Sequence, residues 1–190
     1  MKTINQSFEA EFEAKKSVFI AHLCPHLLFK EHLNALKSKH PKAVHFVYAF
    51  RYLNELGQIV EDKSDDGEPK GTSALPCLNV LRGGELINLA VIVVRYFGGI
   101  KLGTGGLVRA YSSAVNAVLD TASLLEFERK KRINLSVNLS VFARVEHYLR
   151  QNKLESDKEF GANSVQLAIS VSENEQKALL EFAQKLGISL

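Results

Sequence analysis

Residues 87–96, INLAVIVVRY, are apolar on both faces of an extended chain apart from Asn88 and the final residues. A strand of that kind belongs in the middle of a sheet. Its continuous apolar part, Leu89–Val94, is far shorter than the roughly 20 residues that cross a bilayer, and the N-terminal MKTINQSFEAEFEAKK lacks the apolar core of a signal peptide. A cytoplasmic protein with no membrane partner is therefore expected. The strand empties directly into FGGIKLGTGGLVRAY, where Leu107, Tyr111, Ala114, Val118 and Ala122 recur at the spacing of a long helix packed on the sheet.

Other elements of the first 131 residues follow from local pattern. An extended stretch is expected near Lys16–Leu23, then a helix from about His26 to Lys39 stopped by Pro41. Phe46, Tyr48, Phe50 and Tyr52 line one face of a strand, and the turn from Asn54 to Gly57 followed by Ile59-Val60 makes a hairpin partner for it. The polar loop SDDGEPKG leads to a helix near Ser73–Leu81, in which Pro76 is tolerable because it falls in the first turn. Leu125–Phe127 is a last short strand. The basic run Arg129-Lys130-Lys131-Arg132 marks the junction, giving domains 1–131 and 132–190.

In the second domain Ile133, Leu135, Val137 and Leu139 alternate with polar residues, as in a half-buried strand. Phe142, Val145, Tyr148 and Leu149 continue at helical spacing. Leu154–Phe160 is extended, and Val165, Leu167, Ile169 and Val171 alternate again. Ser172-Glu173-Asn174-Glu175 is a capping box ahead of a helix whose inner face is Leu179, Phe182 and Leu186. Gly187 stops that helix, and Ile188–Leu190 is read as a final strand. The order βαββαβ is ferredoxin-like. The net charge of +3 resides entirely in the first domain, a modest bias compatible with an RNA or nucleotide partner. Cys24 and Cys77 are too few for a disulfide framework or a four-ligand zinc site.

Two clusters have the composition of a site. The first is the strand exit and helix entry: Arg95, Tyr96, Gly98, Gly99, Lys101, Gly103, Thr104, Gly105, Gly106, Arg109 and Tyr111. Glycines let backbone amides approach an anion, the helix dipole adds positive potential, and Arg95, Lys101 and Arg109 supply charge, so phosphate or nucleic-acid contact is expected. It is not a P-loop, since Thr104 stands where the lysine is required, nor a dinucleotide fingerprint, since Val108 replaces its third glycine. The alternative is that these glycines only turn the chain and pack the helix. The second cluster is the acidic loop Ser64, Asp65, Asp66, Gly67 and Glu68, whose carboxylates suit either turn chemistry or a magnesium ion. His45 and Arg51 share a strand face, but six residues of extended chain separate them by roughly 20 Å, too far to act on one atom. His22, Cys24 and His26 alternate like strand metal ligands, a weak pattern with Pro25 among them.

KKSVFIA near residue 15, AVHFVYAFRY from 43, SDDGEPKGTSALP from 64 and VVRYFGGIKLGTGGLVRAY from 93 resemble, in order and spacing, the four signature blocks of the IMPACT/YigZ family. The short tail resembles the C-terminal domain of its bacterial YigZ branch. The resemblance implies an α+β protein: an N-terminal two-layer α/β domain of the ribosomal-protein, GHMP-kinase and elongation factor G domain IV type, with a left-handed βαβ crossover. The ferredoxin-like tail would then resemble elongation factor G domain V. The family positions matched here include His45, the acidic loop and the glycine-rich loop. Eukaryotic members carry a further N-terminal domain with no counterpart here, so their role in the general-control kinase pathway is not expected to transfer.

The function expected from these readings is RNA or ribosome binding that modulates translation, through the basic glycine-rich surface and without a cofactor. Two alternatives stay open. One is a small-molecule enzyme or nucleotide/phosphate binder with magnesium held by Asp65, Asp66 or Glu68, and the other is a protein-interaction module using the same surface.

Overall fold

The computed structural model describes residues 1–188, and the chain divides into two compact units, Met1–Phe127 and Glu128 onward. The first unit is built on a five-stranded antiparallel sheet in the order β2-β3-β6-β4-β5, formed by β2 (Phe8–Ala14), β3 (Ser17–Pro25), β4 (His45–Leu53), β5 (Ile59–Ser64) and β6 (Leu89–Tyr96). Every residue of β6 but Tyr96 is buried, and β3 and β4 flank it. The strand that is apolar on both faces is thus the central one.

Helices cover both faces of this sheet, which corrects the expected two layers to three. On one face α2 (Ala74–Gly83) and α3 (Thr104–Thr121) pack on Phe19, Ala21, Leu23, Val47, Val91 and Val93. On the other, α1 (Phe29–Lys39) presents Phe29, Leu33 and Leu36 to Cys24, Ala90, Ile92 and Val94. The physical reason lies in β6 itself. Leaving Ile92 and Val94 in water would forgo roughly 1.5–3 kcal/mol for each side chain; both are fully buried. A 3₁₀ turn, His26–Leu28, precedes α1.

Strand β2 lies ahead of the first extended stretch expected from sequence. In FEAEFEA, Phe8, Ala10, Phe12 and Ala14 pack against the core while the glutamates alternate outward. The short strand β7 (Leu125–Glu126) stays out of the large sheet and pairs with β1 (Lys2–Thr3), so both ends of the unit are tied together.

The second unit has β8 (Lys131–Asn138), α4 (Leu139–Gln151), β9 (Ser156–Phe160), β10 (Ser164–Val171) and α5 (Glu173–Lys185), with its sheet in the antiparallel order β8-β10-β9. Lys131 and Arg132 begin β8, so only the first half of the basic run is connecting chain. The Ser172/Glu175 capping box forms in both directions: the Ser172 amide donates to Glu175 Oε2 at 2.8 Å and the Glu175 amide to Ser172 Oγ at 3.4 Å. Asn138 caps α4 in one direction, its Oδ1 accepting from the Ser140 amide. Of the final strand expected at 188–190, residues 189 and 190 lie outside the described residues.

One contact ties the glycine-rich loop to the sheet. The β2–β3 turn passes so close to Gly98 that a Cβ there would lie 2.0 Å from the carbonyl carbon and oxygen of Lys16, and the Gly98 amide donates to Ser17 Oγ at 3.2 Å. Both obstructing atoms are backbone, so Gly98→Ala should displace the turn and destabilise the first unit by about 1–3 kcal/mol or more. Calorimetric unfolding should show the loss in that unit, with the second unit unmoved; an unchanged transition would refute the close approach.

Candidate functional site

The acidic loop is held by its own side chains. Asp65 caps α2, accepting through Oδ1 from the Ser73 hydroxyl at 2.5 Å and the Ala74 amide at 2.9 Å, and through Oδ2 from the Gly71 amide at 2.9 Å. Burial alone would raise its pKa, but these hydrogen bonds outweigh burial and hold the carboxyl below the ordinary aspartate range. Asp66 Oδ2 accepts from the Phe46 amide at 2.6 Å, which fastens the loop to the start of β4. Between them Ser64 Oγ accepts from the Asp66 amide, and Gly67 takes the positive φ of 87° that the turn needs.

Glu68 is turned inward. Its carboxylate forms an ion pair with Arg95 of β6 and accepts from the Tyr111 hydroxyl of α3 at 2.8 Å. The Glu68 and Arg95 side chains are only 3% and 7% exposed, and Tyr111 is fully buried. Burial first, and the adjacent Glu68 charge second, push the Tyr111 phenol well above its usual range, so it stays a hydrogen-bond donor. His45 approaches from β4, with Nε2 3.9 Å from Glu68 Oε1. Its Nδ1 lies 2.7 Å from the Asp66 carbonyl. A carbonyl only accepts, so Nδ1 carries a proton and donates to it.

These contacts join the acidic and glycine-rich loops at one place. A cleft of about 380 Å³ opens there, lined by Glu68, Arg95, Phe97, Lys101, Gly103 and Thr104 among others. Gly103, at φ 73°, turns the chain into α3 without a side-chain cap, and no acidic residue stands in the first turn. The amides of Thr104, Gly105 and Gly106 precede the first helical hydrogen bond, from the Leu107 amide to the Gly103 carbonyl. They carry the positive end of an 18-residue helix. A methyl group on Gly105 would lie 3.7 Å from Arg109 Nη1, so the guanidinium reaches back over that first turn. Lys101 and Arg109 are exposed, as is Gly99.

Three of the residues expected on the phosphate-contacting surface turn away from it: Arg95 and Tyr111 are buried and Tyr96 is half-buried on the other face of the sheet. Arg95 is 5% exposed and neutralised by Glu68, and Tyr111 is in the core. Tyr96 faces α1 instead, its hydroxyl 3.0 Å from His40 Nδ1. The reason is strand parity: Tyr96 points to the face opposite Arg95. The same parity puts Phe97 beside Arg95, and this half-exposed ring in the cleft wall was not among the expected site residues. Its signal was present, since an aromatic that follows a buried strand into a glycine loop has little core left to enter.

The carboxylates available to magnesium are all committed: Asp65 to α2, Asp66 to β4 and Glu68 to Arg95 and Tyr111. Among the described residues no group of three or more His, Cys, Asp or Glu is placed to hold a metal ion. His22, Cys24 and His26 diverge as well. Burial lowers the His22 pKa to about 4, and its Nδ1 sits 3.3 Å from Glu9 Oε2. Burial raises the Cys24 thiol to about 12, while His26 stacks on Tyr52 with ring centroids 4.0 Å apart. Arg51 pairs with Glu61 and donates to the Leu81 and Leu86 carbonyls, a set of contacts separate from those of His45.

Removing Glu68 leaves a buried guanidinium unpaired, so Glu68→Ala should lower stability by about 3–5 kcal/mol in chemical denaturation. A loss below 1 kcal/mol would mean that Arg95 finds water instead. For Asp65 the folded pKa is depressed, so its stabilisation is present above the ordinary value of about 3.9 and disappears as pH falls through the lower folded value. Asp65→Ala should therefore cost about 1–2 kcal/mol near neutral pH, and the gap from wild type should close in the acid range below about pH 3.9. A gap independent of pH would contradict the capping role.

The Impact N-terminal domain family model matches residues 15–119, which hold both loops. The IMPACT family member YvyE of Bacillus subtilis is 31% identical over 187 residues, covering 97% of this chain and 85% of that protein. The IMPACT family member YigZ of Escherichia coli is 40% identical over 115 residues, 56% of this chain and 54% of that protein. A crystal structure described as that of a hypothetical protein superposes with a TM-score of 0.70 at 27% identity, spanning 96% of this chain and 91% of that one. No described helix is long and apolar enough to cross a membrane. The chain belongs to the IMPACT family.

Proposed function

We propose that this protein binds RNA, on the ribosome, and modulates translation from the cytoplasm. The observation that carries this reading is the N-terminus of α3: an uncapped 18-residue helix with no acidic residue in its first turn, flanked by the exposed cations Lys101 and Arg109. Partial positive charge from the helix and two exposed full charges make a surface that attracts phosphate oxygens without reading base sequence. The carboxylate that lines the cleft, Glu68, is neutralised by Arg95 and does not oppose an incoming phosphate.

The reading includes the finer relationships expected for the two units. The first is taken as kin to elongation factor G domain IV and the second, through its βαββα order, as a ferredoxin-like unit kin to domain V. Such kinship supports a ribosomal role only by analogy. The outward face of the second unit bears Asn134, Ser136 and Gln166 rather than aromatic rings, so base stacking of the kind found on RNA-binding sheets is not assigned to it. A small-molecule phosphate site is the second reading, favoured by the concavity of the cleft; a protein-interaction module would use the same rim.

Binding to purified ribosomes and ribosomal RNA across a salt series tests the proposal. Affinity should fall steeply with salt, and Lys101→Ala/Arg109→Ala should weaken binding and reduce the logarithmic salt slope by about 2. Absence of binding at low salt, or a slope untouched by the double substitution, would overturn it.

A further inference from the structure

Building on the RNA reading, we infer that the cleft between the acidic and glycine-rich loops seats one nucleotide unit, with its base against Phe97 and its phosphate at Lys101 and the first-turn amides of α3. The shared chemistry is an aromatic base joined to a phosphorylated sugar, whether a unit of an RNA strand or a free mononucleotide.

Four observations converge on this. The first is size: about 380 Å³ stands at the low end of the roughly 300–1,000 Å³ typical of small-molecule sites, room for one ring system and one phosphate. The second is Phe97, half exposed in the cleft wall although apolar. The Arg95 guanidinium carbon lies 5.7 Å from its ring centroid and 5.3 Å from that of Phe19, so Phe97 is held by a buried cation while keeping half its surface open. Bases of any sequence stack on such a ring.

The third is charge. Glu68, Arg95 and Lys101 are the ionisable groups that line the cleft, and since Glu68 and Arg95 neutralise each other, Lys101 and the helix N-terminus leave the cleft positive. The fourth is Arg95 itself. This cleft-lining residue is 95% buried by its 5% exposure, and its Nε has no hydrogen-bond partner among the described residues. A buried nitrogen without a partner is costly unless a ligand or water completes it. The base and phosphate ends of the cleft thus differ in chemistry, as the two ends of a nucleotide do.

Calorimetric titration of the full chain with a nucleoside 5′-monophosphate, the corresponding nucleoside and inorganic phosphate tests the inference. The monophosphate should bind more tightly than either fragment. Phe97→Ala should weaken it by about five- to hundredfold, and Lys101→Ala should bring it down toward the nucleoside. Phe97 is half exposed, so its variant should fold, which circular dichroism checks. Competition separates the sources: a mononucleotide that displaces a short single-stranded RNA places an RNA unit in the cleft. One that binds while longer RNA gains no affinity keeps the nucleotide site but removes the RNA reading. Salt-dependent RNA binding that ignores both Phe97→Ala and excess mononucleotide would overturn the nucleotide seat and leave the RNA reading standing. Inorganic phosphate binding as tightly as the mononucleotide would also overturn it.

Discussion

The ion pair between Glu68 and Arg95, with the Tyr111 hydroxyl as a third partner, connects three parts of the first unit that are distant in sequence. Glu68 lies in the loop before α2, Arg95 near the end of the central strand and Tyr111 in the second turn of α3. Taking an arginine and a glutamate out of water carries a desolvation penalty of several kcal/mol per ion, and mutual attraction offsets it only with good geometry and further hydrogen bonds. Tyr111 and the aromatic ring of Phe19 supply part of that. Because the penalty returns if any partner moves, the arrangement selects one position for the acidic loop relative to α3.

What the pair positions is a surface with divided labour. The carboxylates of the acidic loop are tied to the fold: Asp65 starts α2, Asp66 anchors to β4 and Glu68 cancels the charge of Arg95. With Glu68 buried against Arg95, the positive end of α3 carries no acidic residue in its first turn, and Lys101 and Arg109 are exposed. Gly98 contributes by letting the β2–β3 turn pass against the loop. The glycines of this loop differ in what they do. Gly98 serves packing, and Gly103 opens an uncapped helix.

Much of the scaffold was legible because it depends on short-range periodicity. INLAVIVVRY, read as a central strand, takes that place, and the alternation of 133–138 and 165–171 gives two of the three strands of the second unit, while Leu139, expected in the strand, begins α4. The Ser172 capping box is a contact between neighbours in sequence and forms as expected. FEAEFEA is equally periodic, apolar residues inward and glutamates outward, and it forms β2. The two-layer expectation conflicted with a strand apolar on both faces, and burial of Ile92 and Val94 under α1 resolves it.

The site divides along the same line. Sequence alone determined which residue types gather at the strand exit and in the acidic loop, because glycine, turn carboxylates and helix-entry patterns act over a few residues. That Arg95 meets Glu68, that Tyr96 turns to His40 and that Asp65 caps α2 were decided by tertiary structure. Glu68 and Arg95 are 27 residues apart and Glu68 and Tyr111 are 43 apart. Charge pairing at such separations depends on which strands and helices become neighbours, and no local pattern specifies that.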